Sequence, residues 1–453
     1  DLLLNWLRLF QTDEALAQMY SERFLHVMVD EYQDTNQLQG LLVDRVSEYN
    51  KNLMVVGDDC QSIFRFRGAE FANILDFPKR HEGTRVFKLQ TNYRSTPQII
   101  ALANQSIRNN RRQFHKELKS VQPEDMPPAF VSCRNAEQQA AFIAQRVLEI
   151  RDEGVQLNDL AVLYRAHYQS MELQIELSRR GIPFIVRSGV RFFEQAHIKD
   201  VLAYLRLIYN PNDQLAFLRV MRMADGIGQQ YADQIWQQLG RFEDPRDGWL
   251  HDGISDSLPK RASKSWDRTR RLLLSLSNES KTTGPGPLAD RVLDGGYRSY
   301  LRRSYDNFEP RVIDIQQLGN FASQFDDLES FLTELSLQGS PAAEDVVDGG
   351  EVNEHLVLSS IHQAKGLEFR AVFVLWLSEG RFPVVRADDP ESEEEERRLF
   401  YVAATRAKNE LYLMHPIMAR DRERGMTMLR PSPFLEELGD NLYDEWSLVP
   451  EQS

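Results

Sequence analysis

The chain has 453 residues, 42% of them hydrophobic, and a formal net charge of −14. That length allows about three domains with substantial cores. No apolar stretch reaches the roughly 18 residues needed to span a bilayer, so a cytoplasmic protein with no membrane partner is expected. Two cysteines, Cys60 and Cys133, are too few for a disulfide framework or a metal cluster. The acidic total argues mildly against a nucleic-acid binder, although a local groove can still be positive.

In chain order, Leu2 to Ser21 carries leucines and aromatics at helical spacing and predicts a helix with a packed face. The apolar run Phe24 to Val29 predicts a buried strand, ending at two adjacent carboxylates, Asp30 and Glu31. Asn36 to Tyr49 is amphipathic, and Asn52 to Val56 is a second strand ending in Gly57-Asp58-Asp59, which completes a βαβ unit. A third strand is predicted over Val86 to Leu89, running into Gln90 to Thr96, with Pro97 opening the next helix. Further strands are predicted near Ala129 to Cys133, Leu160 to Arg165 and Pro183 to Arg187, with a helix over Glu137 to Glu153.

From Ile198 the texture turns helical and stays so to Gln338, broken by loop-like stretches at Arg241 to Ser263 and Asn278 to Pro287. Gly339 to Asn353, rich in glycine, proline and acids, predicts a linker. Strand patterns return at His355 to Ile361, Ala371 to Leu377 and Glu410 to His415. The fold class expected is α/β, a parallel-sheet architecture interrupted by a mainly helical insertion.

In an open α/β sheet, ligands sit at the carboxyl ends of the strands. Asp30 and Glu31 at such an end suit nucleotide hydrolysis, where one carboxylate orients a hydrated Mg2+ and its neighbour positions the attacking water. An Asp-Glu pair alone is ordinarily a solvated turn. It does not stand alone: motif-like blocks follow in order, Val29-Asp-Glu-Tyr-Gln-Asp-Thr35, Val56-Gly-Asp-Asp-Cys-Gln-Ser-Ile-Phe-Arg-Phe-Arg-Gly-Ala69, Leu89-Gln-Thr-Asn-Tyr-Arg-Ser95, Ser360-Ile-His-Gln-Ala-Lys-Gly-Leu-Glu-Phe369 and Arg397-Arg-Leu-Phe-Tyr-Val-Ala-Ala-Thr-Arg-Ala-Lys408. With these five blocks the chain resembles a superfamily 1A DNA helicase of the UvrD/Rep/PcrA type, from near Phe24 to near His415.

The resemblance implies two RecA-like lobes with an ATP site between them: residues 1–96 as the C-terminal part of the first lobe, 97–197 and 351–453 as the second, and 198–350 as the helical insertion. It implies that Asp30 binds Mg2+, that Glu31 is the catalytic carboxylate, and that Gln61 senses the γ-phosphate. Tyr93 would stack on adenine, Arg94 and Arg406 would reach the γ-phosphate, and Glu368 would accept from the ribose hydroxyls. Two fixed guanidiniums suit a spread transition-state charge. Alone, Arg94 and Arg406 would read as surface ion-pair residues and Tyr93 as a core aromatic.

For single-stranded DNA, the resemblance places Phe66 at a base-stacking position, with Phe64 nearby and Arg67 beside it. Arg165 and His362 match phosphate-contacting positions, and Lys365 is a third contact of that kind. His167 stands where the family commonly has asparagine. Gly226 and Gly228, in Asp225-Gly-Ile-Gly228, match an element that meets duplex DNA at single-strand/double-strand junctions, although Asp225 would repel a phosphate. The basic clusters Arg108 to Lys119 and Lys260 to Arg271 read as solvated faces, as does the acidic run Asp388 to Glu396, which also favours the dipole of the helix it opens.

One element is missing. A P-loop needs a Gly-Lys pair, because backbone amides cradle the phosphates while the lysine neutralises them. None occurs in the chain, only 29 residues precede Asp30, and the first residue is not methionine. The expectation is a fragment of a 3′-to-5′ helicase whose first lobe is truncated and which alone turns over little ATP. The alternative is a non-catalytic DNA-binding or scaffold relative without a P-loop.

Overall fold

The computed structural model describes residues 2–65, 68–187, 192–306, 308–338, 354–384, 390–421, 425–439 and 441–448. Contacts divide the chain into two compact units, Asp1–Arg165 with Glu354–Ala419 and Met428–Ser453, and Ala166–Asn353 with Arg420–Thr427. No helix among the described residues is long and apolar enough to cross a membrane.

The first unit opens with two helices where one is predicted, Leu2–Thr12 and Glu14–Arg23. The break is local: the Asp13 side chain accepts from Leu16 N at 3.0 Å and so starts a new helix. Strands β1 (Val27–Val29) and β2 (Leu53–Val55) pair in parallel, Val27 opposite Leu53. The helix Gln37–Val46 joins them, and its capping box between Asn36 and Gln39 fixes where it starts. The expected strand over Val86 to Leu89 does not form. Val86, Phe87 and Leu89 stand 52%, 83% and 83% exposed, and pairing begins only at Thr91–Asn92, against Lys119–Ser120. Strand propensity without a partner ladder does not make a strand.

A larger parallel sheet follows in the same unit. Its strands are β3 (Ala129–Cys133), β4 (Leu160–Tyr164), β5 (Leu356–Ser360), β6 (Phe369–Val374), β7 (Ala407–Pro416) and β8 (Asp444–Ser447), in the spatial order β8-β3-β7-β6-β4-β5. Every residue of β4 and β5 is buried, as expected of parallel strands covered on both faces. The pair is instructive, because Ala161 lies opposite Val357: strands that are neighbours in space lie far apart in the chain, so the residues between them hold an insertion. The helix Pro390–Ala404 buries Leu399, Phe400, Val402 and Ala403 in this core. Its end therefore delivers Thr405 and Arg406 to a fixed place.

The second unit is mainly helical, with a short strand at Phe184–Val186. Helices Ala196–Tyr209, Gln214–Arg222, Gln229–Leu239, Lys260–Glu279, Pro285–Val292, Phe308–Ala322 and Leu328–Gln338 pack around Phe217, Trp249 and Trp266, each 0% exposed. Two short helices, Pro245–Trp249 and Gly253–Asp256, occupy the stretch expected to be loop; Trp249 and Ile254 anchor them to the core, which outweighs their glycines and aspartates. The helices Pro285–Val292 and Phe308–Ala322 meet at Gly286, where a Cβ would fall 1.8 Å from Ser323 Oγ and 2.5 Å from Gly319 O. Gly286→Ala should therefore destabilise this unit by about 1–3 kcal/mol in denaturant unfolding; an unchanged midpoint would mean that the helices do not pack this closely.

Candidate functional site

Strand β1 delivers Asp30 and Glu31, both exposed, to its carboxyl end. Glu31 has φ 51° and ψ 40°, a left-handed conformation that costs a non-glycine residue roughly 1–2 kcal/mol. Its neighbours hold it there. Tyr32 N donates to Val56 O at 3.0 Å, and the fully buried Tyr32 ring packs edge-on against Phe77. Asp30 Oδ1 accepts from Glu31 N at 2.8 Å, and Gln33 Nε2 donates to Glu31 Oε2.

Beyond β2, the turn Asp59–Gln61 presents Gln61. Its amide is held at both ends: Nε2 donates to Asp58 Oδ2 at 2.8 Å, and Oε1 accepts from Arg406 Nη2 at 3.5 Å. Arg406 is 2% exposed. Its other hydrogen bonds go to Val402 O, Leu367 O and Thr405 Oγ1, each at 3.1 Å. Its hydrogen-bond partners among the described residues are all neutral, and Asp58 and Glu31 act on it only at longer range, so a buried guanidinium lies beside the site with no carboxylate in direct contact. Burial first, then the charge of Arg94, pulls it down to about 10, which leaves it protonated at neutral pH.

Arg94 follows the short strand Thr91–Asn92, and Asn92 Oδ1 fixes the turn by accepting from Arg94 N and Ser95 N, each at 2.9 Å. Arg94 Nε donates to Glu368 Oε2 at 2.6 Å, and Nη1 donates to Thr405 O at 3.3 Å. Lys408 Nζ lies 2.9 Å from Glu368 Oε1. Lys408, then Arg94, holds the Glu368 carboxyl below its usual range. With Tyr93, 73% exposed, these side chains line a cleft of about 620 Å³. Asp30, Glu31, Asp58 and Gln61 line a cavity of about 1370 Å³.

Lys365 faces inward. Its side chain is 8% exposed and its ammonium is paired with Asp34 Oδ2, 2.9 Å from Gln61 O and 3.4 Å from Glu31 Oε2. It also sits 5.3 Å from the centre of the Phe64 ring, which lies 6.2 Å from the His362 ring. Phe64, His362 and Lys365 are thus gathered into one group that touches Gln61. Arg165 Nε pairs with the nearly buried Glu396 at 2.8 Å. Phe66 and Arg67 lie outside the described residues. In the second unit, Gly226 adopts φ +82° against Arg261, Asp225 pairs with Arg303 at 3.4 Å, and Gly228 caps the helix Gln229–Leu239.

Sequence reasoning gave no role to Lys408 or Lys116. Lys408 stands inside a quoted block, but nothing in its spacing points to Glu368. Lys116 belongs to the cluster read as a solvated face, yet its ammonium pairs with Asp58 and lies 3.2 Å from Asp59. Arg112, paired with Glu391 at 2.7 Å, and Glu393, paired with Arg397 at 2.8 Å, stay about half exposed, in keeping with a solvated face.

Two family profiles match the chain. The UvrD/REP helicase N-terminal domain matches residues 1–82, and the UvrD-like helicase C-terminal domain matches residues 87–244 and 298–416. The chain is 34% identical to the ATP-dependent DNA helicase PcrA of Bacillus subtilis over 98% of its own length and 62% of that protein. It is 31% identical to PcrA of Staphylococcus aureus over 99% of its length and 62% of that protein, and 33% identical to DNA helicase II of Escherichia coli over 98% and 63%. The chain therefore spans a little under two thirds of the length of these relatives. With both profiles matched in order, and these identities over nearly its whole length, the chain belongs to the UvrD-like helicase family.

Proposed function

We propose that the protein is an ATP-dependent DNA helicase that translocates 3′ to 5′ along single-stranded DNA and acts at single-strand/double-strand junctions. The observation that carries this reading is Arg406, a buried guanidinium whose hydrogen bonds among the described residues all go to neutral groups and which is directed at Gln61. Such a charge is costly to bury unless an anion arrives to meet it. A γ-phosphate flanked by Arg406, Arg94 and Gln61 supplies that anion, and the relatives are named ATP-dependent DNA helicases.

In this reading Glu31 orients and deprotonates the attacking water, and the strained backbone at Glu31 aims its carboxylate at the phosphate. Gln61 accepts from that water or donates to the phosphate. Arg94 and Arg406 spread their donors over the phosphoryl oxygens. Tyr93 stacks on adenine, while Glu368 accepts from the ribose after sharing its charge with Arg94 and Lys408. Asp30 and Glu31 are exposed hard-oxygen donors, a fit for Mg2+, and would hold it; when bound, it neutralises phosphate charge. Phe64 and His362 meet the DNA strand, together with Phe66, Arg67 and Arg165. Lys365 joins that group to Glu31 and Gln61, so strand binding and water positioning share one ammonium. Gly226 and Gly228 face duplex DNA, and the ion pair to Arg303 relieves the repulsion from Asp225.

In the full protein, Glu31→Gln should abolish single-strand-stimulated ATP turnover while sparing ATP binding, and Arg406→Ala should lower kcat by about 10³-fold or more. Normal unwinding by either variant would reject these roles. The 453 residues contain no Gly-Lys pair, so the amides that cradle the phosphates are not supplied by this segment. Expressed alone, the segment should hydrolyse little or no ATP even with single-stranded DNA; robust turnover would show that no P-loop is needed.

A further inference from the structure

Gln61 can accept from an attacking water only if its amide oxygen faces the site, and the structure contains a device that sets that direction. A primary amide carries a donor end and an acceptor end of nearly equal size, so packing alone does not orient it. Gln61 Nε2 donates to Asp58 Oδ2 at 2.8 Å. An ionised carboxylate only accepts, so the opposite orientation would set oxygen against oxygen. Asp58 therefore forces Gln61 Oε1 toward Arg406 Nη2.

Asp58 is itself held. Its Oδ1 accepts from Cys60 N at 3.0 Å and pairs with the Lys116 ammonium. Lys116 also lies 3.2 Å from Asp59 Oδ1, and Asp59, 3% exposed, accepts from Phe114 N through its other oxygen at 2.9 Å. Two adjacent carboxylates thus share one ammonium whose side chain is 15% exposed. Asp58, Asp59 and Cys60 bring potential ligand atoms within 4.8 Å of one another, but the ammonium already meets the two carboxylates, which makes the group an ion-pair cluster. Lys116 reaches it from a segment tied down at Leu118, whose N donates to Asn104 Oδ1 at 3.1 Å.

We infer that Lys116 is a positioning residue for ATP hydrolysis: by fixing Asp58 between Cys60 N and Gln61, it locks the Gln61 amide with its acceptor oxygen toward Arg406, where it can accept from the attacking water. The inference rests on the reading of Gln61 given above. Without the ammonium, Asp58 and Asp59 repel each other, Asp58 leaves its place, and the amide keeps only its long 3.5 Å contact from Arg406 to hold its direction. Nucleotide binding does not pass through this relay, so the loss falls on turnover.

The test is steady-state ATP hydrolysis by the full protein at saturating single-stranded DNA. Lys116→Gln should lower kcat roughly 10- to 100-fold, the scale expected of a misaligned group, with KM for ATP within about twofold. Lys116→Arg, which keeps the charge, should recover most of the rate. In a Gln61→Ala background, Lys116→Gln should add less than about twofold, because residues acting through one contact are not additive. Unchanged kcat in Lys116→Gln, or losses that multiply in the double variant, would overturn the inference. If Lys116→Gln fails to fold, Asp58→Asn replaces it: nearly isosteric and able to donate or accept, it should reproduce both the kcat loss and the non-additivity, and normal turnover would again overturn the inference. Apart from turnover, the Cys60 amide should exchange faster in Lys116→Gln than in the parent segment without nucleotide, and equal exchange counts against the lock. Full activity in Gln61→Ala alone would instead overturn the role of Gln61 on which the inference depends.

Discussion

Arg406 sits almost wholly out of water with carbonyls, a hydroxyl and an amide for partners, and much of the first unit is arranged around that fact. The helix Pro390–Ala404 packs its apolar face into the large sheet and fixes the residue just past its end. Opposite lie the strand ends of the small sheet, with Gln61 and Glu31. A guanidinium held in this way keeps its charge, yet burial and Arg94 draw it down to about 10. Among the described residues no carboxylate hydrogen-bonds to it, and Asp58 and Glu31 reach it only at longer range, which suits the proposed binding of a phosphate there.

Cations also stitch the small sheet to the large one. Lys365 reaches Asp34 and Glu31, Arg94 reaches Glu368, and Arg398 Nε donates to Ser62 O at 2.9 Å. Most of these bonds use the same residues proposed to meet nucleotide or DNA, so a bound ligand competes with contacts that hold the two sheets together. The left-handed backbone at Glu31 fits the same pattern: strain is kept where the surrounding turn over-determines it, here through Tyr32 and Gln33.

Much of this was legible in the sequence, for definable reasons. Strands covered on both faces leave continuous apolar runs, so β3 to β7 could be read directly, and ordered motif blocks pointed to Asp30, Glu31, Gln61, Arg94, Glu368 and Arg406. Strands β1 and β2 were expected to be buried, but Met28 stands 75% and Met54 57% exposed, and β8 carries no apolar run. What stayed hidden was tertiary. Val86 to Leu89 has strand composition but no partner ladder. Asp13 splits a helix because its side chain caps the next one. Lys365 and Lys116 look like surface cations until folding brings Asp34 and Asp58 to them, and one-dimensional spacing carries no trace of a pairing across more than 300 residues, as for Lys365 and Asp34. Lys408 was missed in the same way, since its partner Glu368 lies on a neighbouring strand edge.

The central claim is that these residues serve an ATP-driven motor and not a passive DNA-binding scaffold. Its most direct test is the ATP turnover of the full protein with and without saturating single-stranded DNA. The account predicts turnover that rises at least about tenfold when the strand is added, through the proposed link of Lys365 between the strand and Glu31. Tight DNA binding with no nucleotide turnover under either condition would contradict it.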